Sequence, residues 1–288
     1  NWLKKVKDEF GFKTATEVAN AHHVYAALEA DVDILWIGAR STVNPFTVQE
    51  IAVALKGTNK PVLVKNPVNP DLALWIGALE RLLGQDVKNL GAIHRGFSSY
   101  QKTKYRNVPN WQIALDFKNQ YPNIPMFVDP SHICGRRDLL KDITQEAFNV
   151  GYEGAMIESH PNPDAAWSDA AQQITPEVLA DMLGSIQIRN SDISGFDEEM
   201  GKHRALISDI DFQLIELLSN RMKISEKIGA LKKENNIAIF QPDRWKVIAE
   251  YASARAEESG MGKDFIEKVF KAIHEESIEV QNNIMIDK

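Results

Sequence analysis

Short apolar runs alternate with longer stretches of helical periodicity over the first 188 residues, at the spacing of βαβ units. The runs predict strands near 13–18, 33–38, 61–66, 90–95, 125–129 and 154–159. The periodic stretches predict helices near 2–10, 21–30, 46–56, 70–84, 110–121, 138–150 and 175–187. Six strands, each followed by a helix, fit an α/β (β/α)8 barrel whose first two βα units are missing, so roughly 60 residues or more are expected upstream of Asn1. An open six-stranded sheet ranks second, because no Gly-rich turn follows the first strand.

Past residue 188 the pattern changes. The segment RNSDISGFD has no apolar periodicity and carries Ser, Asn and Gly, so 189–196 reads as a linker. Residues 197–288 contain no strand pattern, only helical blocks at 197–235, 242–259 and 263–286. The first block would extend about 55 Å. Its stripe of Ile207, Ile210, Leu214, Leu217, Leu218, Ile224, Ile228 and Leu231 needs cover over that whole length, which predicts a homodimer through the helical region.

Charge narrows the function. The chain carries 33 Lys+Arg against 40 Asp+Glu, a formal charge of −7, which argues against nucleic acid as a partner. A single cysteine excludes an internal disulfide and fits a reducing, cytoplasmic setting. No apolar run approaches the ~18 residues that would span a membrane.

Within this acidic chain, a cation or a metal-ligand type stands where each of four apolar runs stops. DILWIGAR (33–40), PVLVKNP (61–67), LGAIHRG (90–96) and PMFVDPSH (125–132) place Arg40, Lys65, Arg95 and His132 there. Parallel barrel strands converge on one mouth, so that mouth should be basic and suited to a small, multiply charged anion. In the helical half, Arg221 and Lys232 are eleven residues apart, leaving them only about 20° apart in azimuth, on a face shared with the core. Arg204 falls about 100° away and should look into the partner subunit. Ser277 and Gln281 are spaced i,i+4 and face one way. Two unpaired cations on a buried stripe would cost several kcal/mol each, so a bound dianion explains them better than a seam of snorkelling side chains.

The pattern HRxxISDIDxxLIELLxxRMxISxxIGxLK, with a later Arg and ESxxxQ in the last helix, resembles the all-helical chorismate mutases. The resemblance implies that Arg204 reaches the neighbouring subunit's site, that Arg221 and Arg244 bind the substrate carboxylates and that Lys232 bonds its ether oxygen. Ser277 and Gln281 would close the pocket. Where the family often has an acidic pair flanking Arg244, this chain has Gln241 and Trp245. Gln241 still accepts a hydrogen bond, whereas Trp245 cannot.

The motifs TATEV (14–18), DILWIGAR, PVLVKNP, HRG, DPSH, GRRD (135–138), IESHPNP (157–163) and WSDAAQQ (167–173) resemble, in order, the metal-dependent 3-deoxy-D-arabino-heptulosonate 7-phosphate (DAHP) synthases of type Iβ. The resemblance implies that His132, Glu158 and Asp169 hold a divalent metal, and one imidazole with two carboxylates suits Mn, Fe, Co or Zn. It also implies that Arg40, Lys65 and Arg95 bind phosphoenolpyruvate, with Glu17 assisting the attack of water. The family's fourth ligand, a Cys on the first barrel strand, and its sugar-binding Lys-Pro-Arg motif are absent from this sequence; Cys134 reads as a filler.

Together these resemblances imply two activities: joining phosphoenolpyruvate to erythrose 4-phosphate, and rearranging chorismate to prephenate. Prephenate would be product and possible feedback effector. The rivals are a 3-deoxy-octulosonate 8-phosphate synthase on the same scaffold, and an inactive barrel serving as scaffold for the mutase.

Overall fold

Asn44-Pro45, Asp129-Pro130 and Thr175-Pro176 each set a side-chain acceptor directly before a proline, and each pair begins a helix. The acceptor satisfies amide groups of the first turn, and the proline's fixed φ suits the first helical position. In the computed structural model, which describes residues 2–100, 102–189 and 196–286, the chain divides into two units, Asn1–Ser191 and Asp192–Lys288. The division falls within the segment read as a linker, of which 190–195 lie outside the described residues.

The first unit runs α1 (Trp2–Phe10), β1 (Ala15–Val18), α2 (Ala21–Glu29), β2 (Ile34–Ile37), α3 (Ala39–Thr42), α4 (Pro45–Leu55), β3 (Val62–Lys65), α5 (Leu72–Leu83), β4 (Leu90–His94), α6 (Trp111–Gln120), β5 (Met126–Val128), α7 (Pro130–Cys134), α8 (Leu140–Asn149), β6 (Gly154–Ala155) and α9 (Pro176–Ser185). The strands form one parallel sheet in sequence order, the arrangement of a barrel wall. Among the described residues β1 and β6 do not pair, so the wall is open between them.

The last strand is shorter than expected. Residues 154–159 were expected to be extended, but only Gly154–Ala155 stays in the ladder, while Ser159 bridges Ile174. The interior strand β4 is buried at every position, as a parallel strand covered on both faces must be. Strand residues Leu35, Ile37, Val62, Val64, Met126 and Val128 pack with Ile51, Leu55, Trp75, Leu79 and Phe117 from the helices. Each such aliphatic or aromatic side chain contributes roughly 1.5–3 kcal/mol by leaving water.

The second unit has three helices, α10 (Asp197–Glu234), α11 (Pro242–Glu258) and α12 (Lys263–Ile286), within a residue of the predicted blocks at nearly every end. Its own core is small, with Ala252, Ala256 and Ile266 buried and Phe270 packed on them. On α10, Ser225 and Gly229 face α12, and a Cβ placed on Gly229 would lie 3.2 Å from the Cα of Gln281. Ile207, Ile210, Leu214, Leu217 and Leu231 remain more than half exposed, which is the uncovered stripe expected from the sequence.

Candidate active sites

Two of the residues expected at strand ends, Arg40 and His132, stand instead on one-turn helices. Gly38, just past β2, is the N-cap of α3, where Arg40 stands; Asp129 caps α7, accepting from the amide of His132 at 3.0 Å. The apolar runs stop where expected, but a local cap and turn, invisible to periodicity, then aim the side chains.

Arg40, Lys65 and Arg95 do converge. They line a cavity of about 130 Å³ with Glu17, Arg106, His132 and Asp169. Arg95 is buried; its amide donates to Asn66 Oδ1 at 2.7 Å and its Nη1 to Asn107 Oδ1 at 2.8 Å. Desolvation pushes its pKa down. Lys65 is also buried, and its Nζ lies 2.7 Å from Asp129 Oδ2. Burial alone would push the Asp129 carboxyl up, but the hydrogen bond from His132 and the Lys65 ammonium hold it at about 2. The expected basic mouth is therefore partly neutralised by its own carboxylates. A larger cavity of about 670 Å³, reached by Glu17, Lys65 and His132, adjoins it on the strand side.

His132, Glu158 and Asp169 each bring one donor atom within 4.8 Å of the others. His132 Nδ1 lies 3.0 Å from Asp129 Oδ1; an ionised Asp129 keeps the proton there and leaves Nε2 as the lone-pair nitrogen, the usual preparation of a metal ligand. Gln172 Nε2 donates to Glu158 Oε2 at 3.0 Å. Asp169 sits in the left-handed region, φ 49, which Asp tolerates better than most residues, and Arg106 Nη1 donates to its Oδ1 at 2.7 Å and to Gln172 Oε1 at 2.8 Å. The Arg106 bond pulls the Asp169 carboxyl below its ordinary range. One imidazole and two carboxylates are a suitable donor set for a divalent transition metal. Cys134 stands apart from this cluster; burial pushes its thiol up to about 12, as a filler requires.

The loop carrying Arg106 is fastened by a buried histidine. Tyr152 donates to His94 Nδ1 at 2.9 Å, and His94 Nε2 donates to the Pro109 carbonyl at 2.6 Å. Burial holds His94 at about 4.

In the helical unit, Arg221, Lys232, Gln241, Arg244, His274, Ser277 and Gln281 line a cavity of about 350 Å³ with five isoleucines, and no carboxylate lines it. Arg221 donates to Ser277 Oγ, and Lys232 to the Ile239 carbonyl at 2.7 Å and Gln281 Oε1 at 3.1 Å. Burial lowers the pKa of both cations, with Arg244 adding to the effect at Arg221. Arg204 is exposed on α10 and does not line this cavity.

Sequence reading passed over Arg106, Asp129, Gln172 and His274. Arg106 stands in a loop without period, and Asp129 stands in DPSH directly before a proline. His274 shares the face of Ser277 and Gln281 at helical spacing. Its ring stacks on Trp245, centroids 4.5 Å apart.

Residues 1–191 match the model of the DAHP synthetase I family, and 203–282 that of chorismate mutase type II. A phospho-2-dehydro-3-deoxyheptonate aldolase of Thermotoga maritima is 28% identical over 182 residues, covering 63% of this chain and 52% of that protein. A 2-dehydro-3-deoxyphosphooctonate aldolase of Pseudomonas putida is 28% identical over 215 residues, covering 67% and 70%. A truncated 3-deoxy-D-arabino-heptulosonate 7-phosphate synthase from Thermotoga maritima superposes with TM-score 0.58 at 25% identity, covering 69% of this chain and 71% of that one. The chain thus spans about half the length of the Thermotoga relative. With two thirds of its residues matched, the chain belongs to the DAHP synthetase I family, and it carries a chorismate mutase type II region after the barrel strands.

Proposed function

We propose that the first unit condenses phosphoenolpyruvate with erythrose 4-phosphate and that the second converts chorismate to prephenate. The convergence of Arg40, Lys65, Arg95 and Arg106 beside the His132, Glu158 and Asp169 cluster carries the first reading. These cations bind phosphate and carboxylate through charge-assisted bonds, the arginines through parallel donors. His132, Glu158 and Asp169 would hold a divalent Mn, Fe, Co or Zn ion, which would supply Lewis acidity at this site when bound. The enol carbon of phosphoenolpyruvate forms the new bond to the aldehyde carbon, and water adds at the resulting cationic centre. Glu17, on the wall of both cavities, takes a proton from that water, the former aldehyde oxygen gains a proton to become a hydroxyl, and the tetrahedral centre gives up its hydroxyl proton as its C–O bond to phosphate breaks, leaving the ketone and inorganic phosphate.

In the second unit Arg221 and Arg244 bind the two carboxylates, Lys232 and Gln281 bond the ether oxygen, and Ser277 orients Arg221. The rearrangement is one pericyclic step, so the side chains hold a compact conformer and stabilise charge on the breaking ether without nucleophile or proton carrier. The exposed stripe on α10 favours a homodimer, with Arg204 offered to the partner's site. No helix among the described residues is long and apolar enough to cross a membrane, and a cytoplasmic setting is in keeping with the buried free thiol. Fusion of the two units favours prephenate as a feedback effector of the barrel.

The similarity to the Pseudomonas octonate aldolase favours a second reading of the barrel, with a five-carbon acceptor. Phosphate release is measured with phosphoenolpyruvate plus either erythrose 4-phosphate or arabinose 5-phosphate, before and after chelation, alongside loss of chorismate absorbance. The expected result is release with the four-carbon sugar only, abolished by chelator and restored by metal, and mutase turnover indifferent to chelation. Release with arabinose 5-phosphate alone would transfer the barrel to the second reading, and no release with either sugar would leave it as a scaffold.

A further inference from the structure

Among the described residues, one buried side-chain nitrogen or oxygen lacks a hydrogen-bond partner: Nε2 of His274, on the wall of the helical cavity. A buried polar atom without a partner costs free energy, and native structures rarely leave one unless a ligand or water completes it. Of the other neutral polar groups of the wall, Ser277 and Gln281 are engaged, while Gln241 is exposed. Ser277 Oγ accepts from Arg221 and donates to the Ile273 carbonyl at 2.8 Å, while Gln281 accepts from Lys232 and donates to the Ser277 carbonyl at 3.1 Å. Arg221, Lys232 and Arg244 are cations suited to the anionic parts of a ligand.

We propose that His274 Nε2 is the group that recognises the ring hydroxyl of the substrate, a neutral polar group the three cations do not match. This rests on the mutase reading of the cavity and adds a specificity-determining contact to it. Burial and the neighbouring Arg221 lower the His274 pKa, so the ring is neutral and can accept from or donate to a hydroxyl. Stacking on Trp245 fixes the plane of the imidazole, so the aromatic residue at 245, which cannot itself accept a hydrogen bond, acts by holding one that can.

The test uses the full chain, its His274→Phe variant, which keeps a ring against Trp245, and His274→Gln, which restores a polar atom. Calorimetry measures binding of an unreactive cyclic-ether dicarboxylate carrying the ring hydroxyl, and of the same compound with hydrogen in its place. The unsubstituted protein is expected to prefer the hydroxylated compound about tenfold. His274→Phe should bind both alike and His274→Gln should recover part of the preference. Equal binding of the two compounds by the unsubstituted protein, or an undiminished preference in His274→Phe, overturns the assignment. Chorismate turnover by the unsubstituted protein separates the two levels: its presence with either of those results removes only the role of His274, whereas its absence removes the mutase reading beneath it.

Discussion

The barrel mouth buries Lys65 and Arg95 and the helical cavity half-buries Arg221 and Lys232, but the two sites give their cations opposite partners. Lys65 is buried against Asp129, and Arg106 bonds Asp169, so the barrel's cations are balanced by carboxylates that also surround its candidate metal cluster. Among the described residues, Arg221 and Lys232 hydrogen-bond a hydroxyl, an amide and carbonyls, and no carboxylate lines their cavity. A buried ion pair is self-sufficient, with its removal leaving an uncompensated charge. A cation among neutral dipoles is only partly satisfied and gains most when an anion arrives. One site must exchange partners on binding; the other must merely fill.

Three changes would break or sharpen this contrast. Lys232→Ala removes a cation that no acid balances, so mutase turnover is expected to fall by about a thousandfold, some 4 kcal/mol of transition-state stabilisation, with phosphoenolpyruvate-dependent phosphate release unchanged. Similar mutase rates in the two proteins would refute its role. Asp129→Asn keeps the cap on α7 but leaves the Lys65 ammonium buried without a counter-charge. It should cost about 3 kcal/mol in urea unfolding of the barrel unit, whereas a loss below 1 kcal/mol would mean that Lys65 finds water or another acid. Acidification gives the smallest effect. His94 has a folded pKa of about 4, below the ordinary 6.5, so below pH 6.5 the unfolded chain takes up a proton that the folded barrel refuses. Stability from this source is complete above pH 6.5 and declines as pH falls toward 4, by about 2 kcal/mol at pH 5. Unfolding followed at pH 7 and pH 5 should show the barrel unit weakening by that amount and His94→Gln weakening less.

The architecture was largely legible because burial imposes a period. The six strands and the long helices follow from alternation of apolar runs with helical stripes, and Arg221, Lys232, Ser277 and Gln281 share a cavity because helical spacing puts them on facing sides. What escaped had no period. α3 and α7 are single turns, fixed by Gly38 and by the cap Asp129. Arg106 reaches the mouth from a loop whose course depends on His94 and Tyr152, one on a strand and the other far along the chain. The short β6 pairs only with β5 among the described residues, a tertiary fact no local pattern records.

Gly229 contributes no functional group, yet it lets α10 lie close to α12. A Cβ there would stand 3.2 Å from the Cα and Cγ of Gln281, so even a methyl group would push the helices apart by tenths of an ångström. The 3.1 Å bond between Lys232 and Gln281 spans that same crossing and would stretch with it. The reach of the ammonium toward a ligand is thereby calibrated by an atom that is not there, and redesign of this cavity has to treat an empty position as part of its inventory.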